Sequence, residues 1–138
     1  MADKFMKFIE TMDMSFSYKP VLLKAIYEYM DSNGRVALPD VVDYFIDFYE
    51  DRKAHGMIAE KSTSIYQKGC YTRKDVEKNN LSNPFKRFEN MRFLMRCKDV
   101  ETIEANPIIF RKLTREDWLH IVDGCDKSLE KYYARVKK

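Results

Sequence analysis

Glycine and proline are scarce in this sequence, four of each among 138 residues, which excludes long flexible linkers and low-complexity coil. No run nears the roughly 18 consecutive apolar residues of a membrane helix. The opening MADKFMKFIETMDM carries acids and no sustained apolar block, so no export leader is expected and a cytoplasmic location is the default. The three cysteines, Cys70, Cys97 and Cys125, are odd in number and widely spaced. Without a CxxC pair they form neither a zinc ribbon nor a dithiol redox motif, and they read as reduced thiols. Two histidines, His55 and His120, lie far apart. HExxH, GxSxG and a GxxxxGK[ST] phosphate loop are all missing. Glu101 and Glu104 beside Lys98 come nearest to a nuclease constellation, but their spacing puts them on opposite faces of a strand, poor geometry for one metal. The chain is therefore expected to be non-catalytic, with no metal and no cofactor.

What is present is the material of one globular domain spanning 1–138, with 45% hydrophobic and 34% charged residues. The net charge of +3 conceals an asymmetry. Residues 1–51 hold ten acids against five bases, residues 52–98 hold twelve bases against four acids, and the remainder is balanced. A basic block of this kind favours polyanionic partners. It peaks in Ser82 to Lys98, SNPFKRFENMRFLMRCK, where Lys86, Arg87, Arg92, Arg96 and Lys98 are opposed only by Glu89. Phe85, Phe88 and Phe93 in the same stretch read as core, as do Tyr66 and Tyr71, rather than as stacking platforms for bases.

Periodicity organises the rest. Phe5, Phe8, Ile9 and Met12 predict a lead-in helix. Ser17 as N-cap and Pro20 in the first turn open a second helix with a broad apolar face from Val21 to Met30, ended by Asn33-Gly34. Arg35 to Leu38 is β-like. Pro39 and Asp40 begin a helix through about Arg52, whose Asp43, Asp47 and Asp51 form a solvated stripe, and Gly56 ends it. Residues 57–71 lack periodicity and predict an irregular excursion. Thr72 caps a helix beginning RKDVEK, and Pro84 starts another to Asn90. Met91 to Cys97 predicts a strand, Lys98-Asp99 a tight turn, and Val100 to Ala105 a returning strand. Thr114 with Asp117 is close to a capping box at the head of a last helix to about Val136, which Gly124 is placed to bend.

This order predicts a mainly α fold with a small β-hairpin, an α+β domain of winged-helix type with an N-terminal helix and a long C-terminal helix. In such folds one core helix faces the DNA major groove and the hairpin forms a wing. Pro84 to Asn90 is then the recognition helix. Lys86, Arg87, Arg92, Arg96 and Lys98 would contact phosphates, Arg73 and Lys74 extend the patch, and Asn83 reaches a base edge or a phosphate.

The segments SFSYKPVLLKAIYEYMDSNGRV, VVDYFIDFYEDR and YTRKDVEKNNLSNPFKRFENMRFL resemble an accessory domain at the C-terminus of bacterial DEAD/DEAH-box helicase-like and restriction-type proteins. This resemblance spans most of residues 10–125. KPVLLKA and NPFKRFENMRFL are also similar to the sulfur-binding and related N-terminal domains of restriction endonucleases, whose sulfur pocket does not map onto residues here. The resemblance implies a DNA-binding or regulatory module of a bacterial restriction or defence system, with a helicase motor or another subunit as protein partner. The motor itself is absent. The competing reading is a protein-interaction or inhibitory module that docks or homodimerises without touching DNA.

Overall fold

Two capping boxes mark the helices that local chemistry dictates most firmly. At α5 (Arg73–Ser82) the Thr72 hydroxyl accepts the Asp75 N–H while the Asp75 carboxylate accepts the Thr72 N–H. At α8 (Arg115–Arg135) Thr114 and Asp117 do the same. Each pairing satisfies two donors that a helix start leaves open. The structure, a computed structural model, describes residues 2–136.

The other helices are α1 (Ala2–Glu10), α2 (Tyr18–Tyr29), α3 (Leu38–Ala54), α4 (Ile65–Lys68), α6 (Pro84–Asn90) and α7 (Pro107–Lys112). Strands β1 (Arg35–Ala37), β2 (Leu94–Cys97) and β3 (Thr102–Ala105) form one antiparallel sheet in the order β1-β3-β2. Val36 lies opposite Ile103, and Leu94 opposite Ala105. The fold is thus mainly helical α+β, with an N-terminal helix and a long C-terminal one.

Several details depart from the sequence expectation, one being the short helix α4 inside the stretch 57–71 read as irregular. The hairpin gains a third strand, because RVA pairs with β3. The strands are shorter than predicted: Met91 still has helical backbone, and Arg92 turns the chain out of α6 in a left-handed conformation (φ 62°). The tight turn at Lys98-Asp99 is instead a 3₁₀ turn over Lys98–Val100 closed by Glu101, also left-handed (φ 49°). Finally, α7 was not foreseen. Its start signal is local, since Asn106 caps the Ile108 N–H at 3.0 Å and Pro107 follows at the first helical position. Helix α8 runs unbroken through Gly124.

The core gathers the apolar faces of α2, α3, α8 and the sheet, with Val21, Leu22, Ile26, Phe45, Ile103 and Ile121 among its buried members. Phe5 and Phe8 of α1 meet Phe93 edge-on at 4.8 and 5.5 Å, a favoured aromatic geometry. Gly34 turns the chain from α2 into β1 at φ +77°, and a Cβ there would lie 2.8 Å from the Phe110 ring.

The irregular stretch 57–64 is held from inside. Glu60 is 1% exposed, and its carboxylate is saturated by donors. The N–H groups of Ser17 and Lys61 each donate at 2.8 Å, and the hydroxyls of Ser17 and Tyr132 complete the set. Because the Ser17 proton goes to Glu60, Tyr49 donates to the Ser17 oxygen at 2.7 Å. Ser17 thus sits at the N-cap of α2 without capping it. The Tyr133 hydroxyl donates to the Ala59 carbonyl at 2.6 Å, and Arg52 lies 3.4 Å from the Tyr133 ring centroid.

Asp43, Asp47 and Asp51 are exposed along α3. Among the described residues no group of three His, Cys, Asp or Glu is placed to hold a metal ion. Likewise, no helix among them is long and apolar enough to cross a membrane. All three cysteines are free, with Cys70 and Cys97 exposed and Cys125 buried.

Candidate nucleic-acid interface

Helix α6 owes its orientation to alternating side-chain character. Asn83 ends α5 and begins α6 with φ −117° and ψ −84°, a break in helical geometry that the following Pro84 enforces. Phe85 and Phe88, one turn apart, are buried, and Phe88 meets Phe8 edge-on at 5.6 Å. Lys86 and Arg87 between them are therefore carried outward on the solvent side. The first turn of α2 lies opposite. There Tyr18 and Pro20 are buried while Lys19 between them is half-buried.

These two elements and the segment before α2 enclose an open cleft of about 350 Å³. Lys19, Lys86 and Arg87 are its three cations, Asn83 and Asn90 contribute carboxamides, and Ser15 and Ser82 contribute hydroxyls. No aspartate or glutamate lines it. The Asn83 side chain caps neither of its helices. The Lys19 ammonium donates to the Asp13 carbonyl at 2.6 Å. Burial pushes the Lys19 pKa below the ordinary lysine value; the Asp13 charge opposes that shift and Arg87 adds to it. Arg87 also lies 5.4 Å from the centroid of the Phe8 ring, a cation–π contact that limits where its guanidinium can go. Glu89 is the nearest paired acid, 3.5 Å from the Lys86 ammonium.

Of the residues singled out in the sequence, Asn83, Lys86 and Arg87 converge in this cleft. The others are placed elsewhere. Arg73, at the start of α5, is held by Asp43 of α3 and lies 3.4 Å from the Pro39 carbonyl. Arg96 is on the face of β2 that also carries buried Leu94. Its guanidinium is 3.5 Å from Glu101, and its Nε has no partner among the described residues. Lys74, Arg92 and Lys98 are exposed and form no ion pair among the described residues. The Arg92 carbonyl accepts from the Asn106 carboxamide at 2.8 Å, which helps to hold the left-handed turn.

Lys19, Asn90 and Ser15 escaped the sequence reading. Lys19 lies in the acidic third of the chain, more than sixty positions from Lys86, and no local signal links the two. Phe85, Phe88 and Phe93 are all buried, as are Tyr66 and, in part, Tyr71.

No family model, no curated protein and no solved structure matches this chain.

Proposed function

We propose that this protein is a non-catalytic nucleic-acid-binding module that engages duplex DNA through its phosphates, with α6 as the contacting helix. The observation that carries this reading is the acid-free cleft where Lys19, Lys86 and Arg87 converge with the uncommitted Asn83 carboxamide. Cations that meet phosphates release counterions, and that release drives sequence-independent binding. The connectivity α2–β1–α3–α4–α5–α6–β2–β3, with the sheet order β1-β3-β2, supports a winged-helix-like arrangement in which α4 is an added turn and the β2–β3 turn carrying Lys98 serves as wing. The place of the module in a bacterial helicase, restriction or defence system rests on the sequence resemblance alone.

The test is fluorescence anisotropy with a duplex of about 20 base pairs over a salt series. Three cleft cations give a log–log salt slope of about −3, steeper if Arg92 and Lys98 also engage. The double variant Lys86→Glu, Arg87→Glu flattens that slope by about 2 and lowers affinity at least tenfold at low salt. Absence of binding at low salt, or an unchanged affinity in a variant that still folds by circular dichroism, overturns the reading.

A further inference from the structure

The cleft has a shape and a charge that a phosphodiester strand does not use fully. Duplex phosphates lie on a convex surface, so the strand meets the rim of the cleft and exposed side chains such as those of Lys98 and Arg92 without filling the concavity. Lys19, Lys86 and Arg87 instead face a concavity of about 350 Å³ from two different helices. Glu89, 3.5 Å from the Lys86 ammonium, offsets one of the three charges. Asp13 acts likewise on Lys19, yet no acid lines the cavity itself, so the charge facing it stays positive. A bridging phosphodiester carries a single negative charge, whereas a phosphate monoester carries about −1.5 to −2 near neutral pH and three acceptor oxygens. The carboxamides of Asn83 and Asn90 supply neutral donors at the same rim.

We propose that the cleft is a phosphate-monoester site, taking the terminal phosphate of a nucleic-acid strand or of a mononucleotide. In its strand-end form the proposal rests on the DNA reading above. The anion neutralises the mutual repulsion of Lys19 and Arg87, and the partly buried position of Lys19 makes its share of that attraction the least screened by solvent. Lys19 is thereby a specificity residue for the end group, and the exposed cations serve the strand behind it.

The experiment compares internally labelled duplexes of identical sequence with phosphorylated or hydroxyl ends, binding each to the intact chain and to Lys19→Gln. A separate arm titrates a deoxynucleoside monophosphate against the corresponding nucleoside by calorimetry. A preference of about tenfold for the phosphorylated end is expected, which corresponds to roughly 1.4 kcal/mol. Lys19→Gln should lower affinity for the phosphorylated end at least fivefold more than for the hydroxyl end. Equal affinity of the intact chain for both ends overturns the monoester site and leaves the DNA reading standing. If neither duplex binds while the monophosphate binds about tenfold tighter than the nucleoside, with the difference lost in Lys19→Gln, the site stands with a small-molecule source and the DNA reading fails. If nothing binds in either arm, both fail.

Discussion

Glu60 shows how one residue outside any regular element can hold the molecule together. Its carboxylate accepts from the backbone of Ser17 and Lys61 and from the hydroxyls of Ser17 and Tyr132. Glu60→Gln preserves size but turns an amide NH₂ toward donors, leaving buried polar groups opposed. It should cost about 2–4 kcal/mol in urea denaturation, since hydrogen bonds to charged groups are the strong ones and an orphaned buried donor carries its full desolvation penalty. The hydroxyls around it titrate unusually. Burial pushes Tyr133 up to about 12, with Ser17 and Arg52 pulling the other way, and away from Glu60 it pushes the Tyr44 hydroxyl and the Cys125 thiol to about 12 as well. Their unfolded values are 10 for tyrosine and 9 for cysteine. The protonated form is favoured in the folded state, so its stability is fully present below about pH 9 and declines as pH rises from there toward 12. Denaturation midpoints measured from pH 8 upward should fall across that window, with tyrosinate absorbance appearing together with unfolding.

At the scale of elements, several start and stop signals were legible where the chemistry is local, although the equally local starts of α4 and α7 were missed. Thr72 could be read as a helix cap and Thr114 with Asp117 as close to a capping box, because these bonds span three residues; the Asp75 half of the Thr72 box came only with the structure. Thr72→Ala should lower stability by about 1 kcal/mol. The left-handed residue at Gly34 was also legible, but its tightness was not, since Phe110 approaches from 76 positions away. Gly34→Ala should cost about 2–4 kcal/mol, combining left-handed strain with overpacking against that ring, and a melting-temperature series of both variants separates the two magnitudes. The strand ends were misplaced because Arg92 and Glu101 adopt left-handed backbone that no glycine announces. Both are stabilised by pairing made elsewhere: Asn106 holds the Arg92 carbonyl, and the Glu101 carbonyl accepts from Leu38 at 2.9 Å.

For the whole molecule, the division into an acidic first third and a basic middle partly cancels within the fold. Arg73 of the basic middle meets Asp43 of the acidic third. The Arg73–Asp43 pair is exposed on both sides and contributes about 0–1 kcal/mol, yet it removes Arg73 from the pool of uncommitted cations. Arg73→Ala should therefore change DNA affinity less than twofold under conditions where Lys86→Glu with Arg87→Glu changes it at least tenfold, checked in the same anisotropy assay.

Local information in the sequence settled the starts of α2, α3, α5, α6 and α8, the burial of Phe85, Phe88 and Phe93, the exposure of Lys86 and Arg87 between them, and the presence of a basic block. Each follows from residue type and spacing of three or four positions, distances over which backbone geometry is known once a helix is granted. Only the tertiary structure decided which basic residues act as a group. It brought Lys19 of the acidic third beside Arg87, committed Arg73 and Arg96 to Asp43 and Glu101, and closed an irregular segment around Glu60. Arg96 and Glu101 meet across the β2–β3 connection, whereas the other pairings depend on how distant segments pack together, and packing joins residues whose separation along the chain carries no periodic signal.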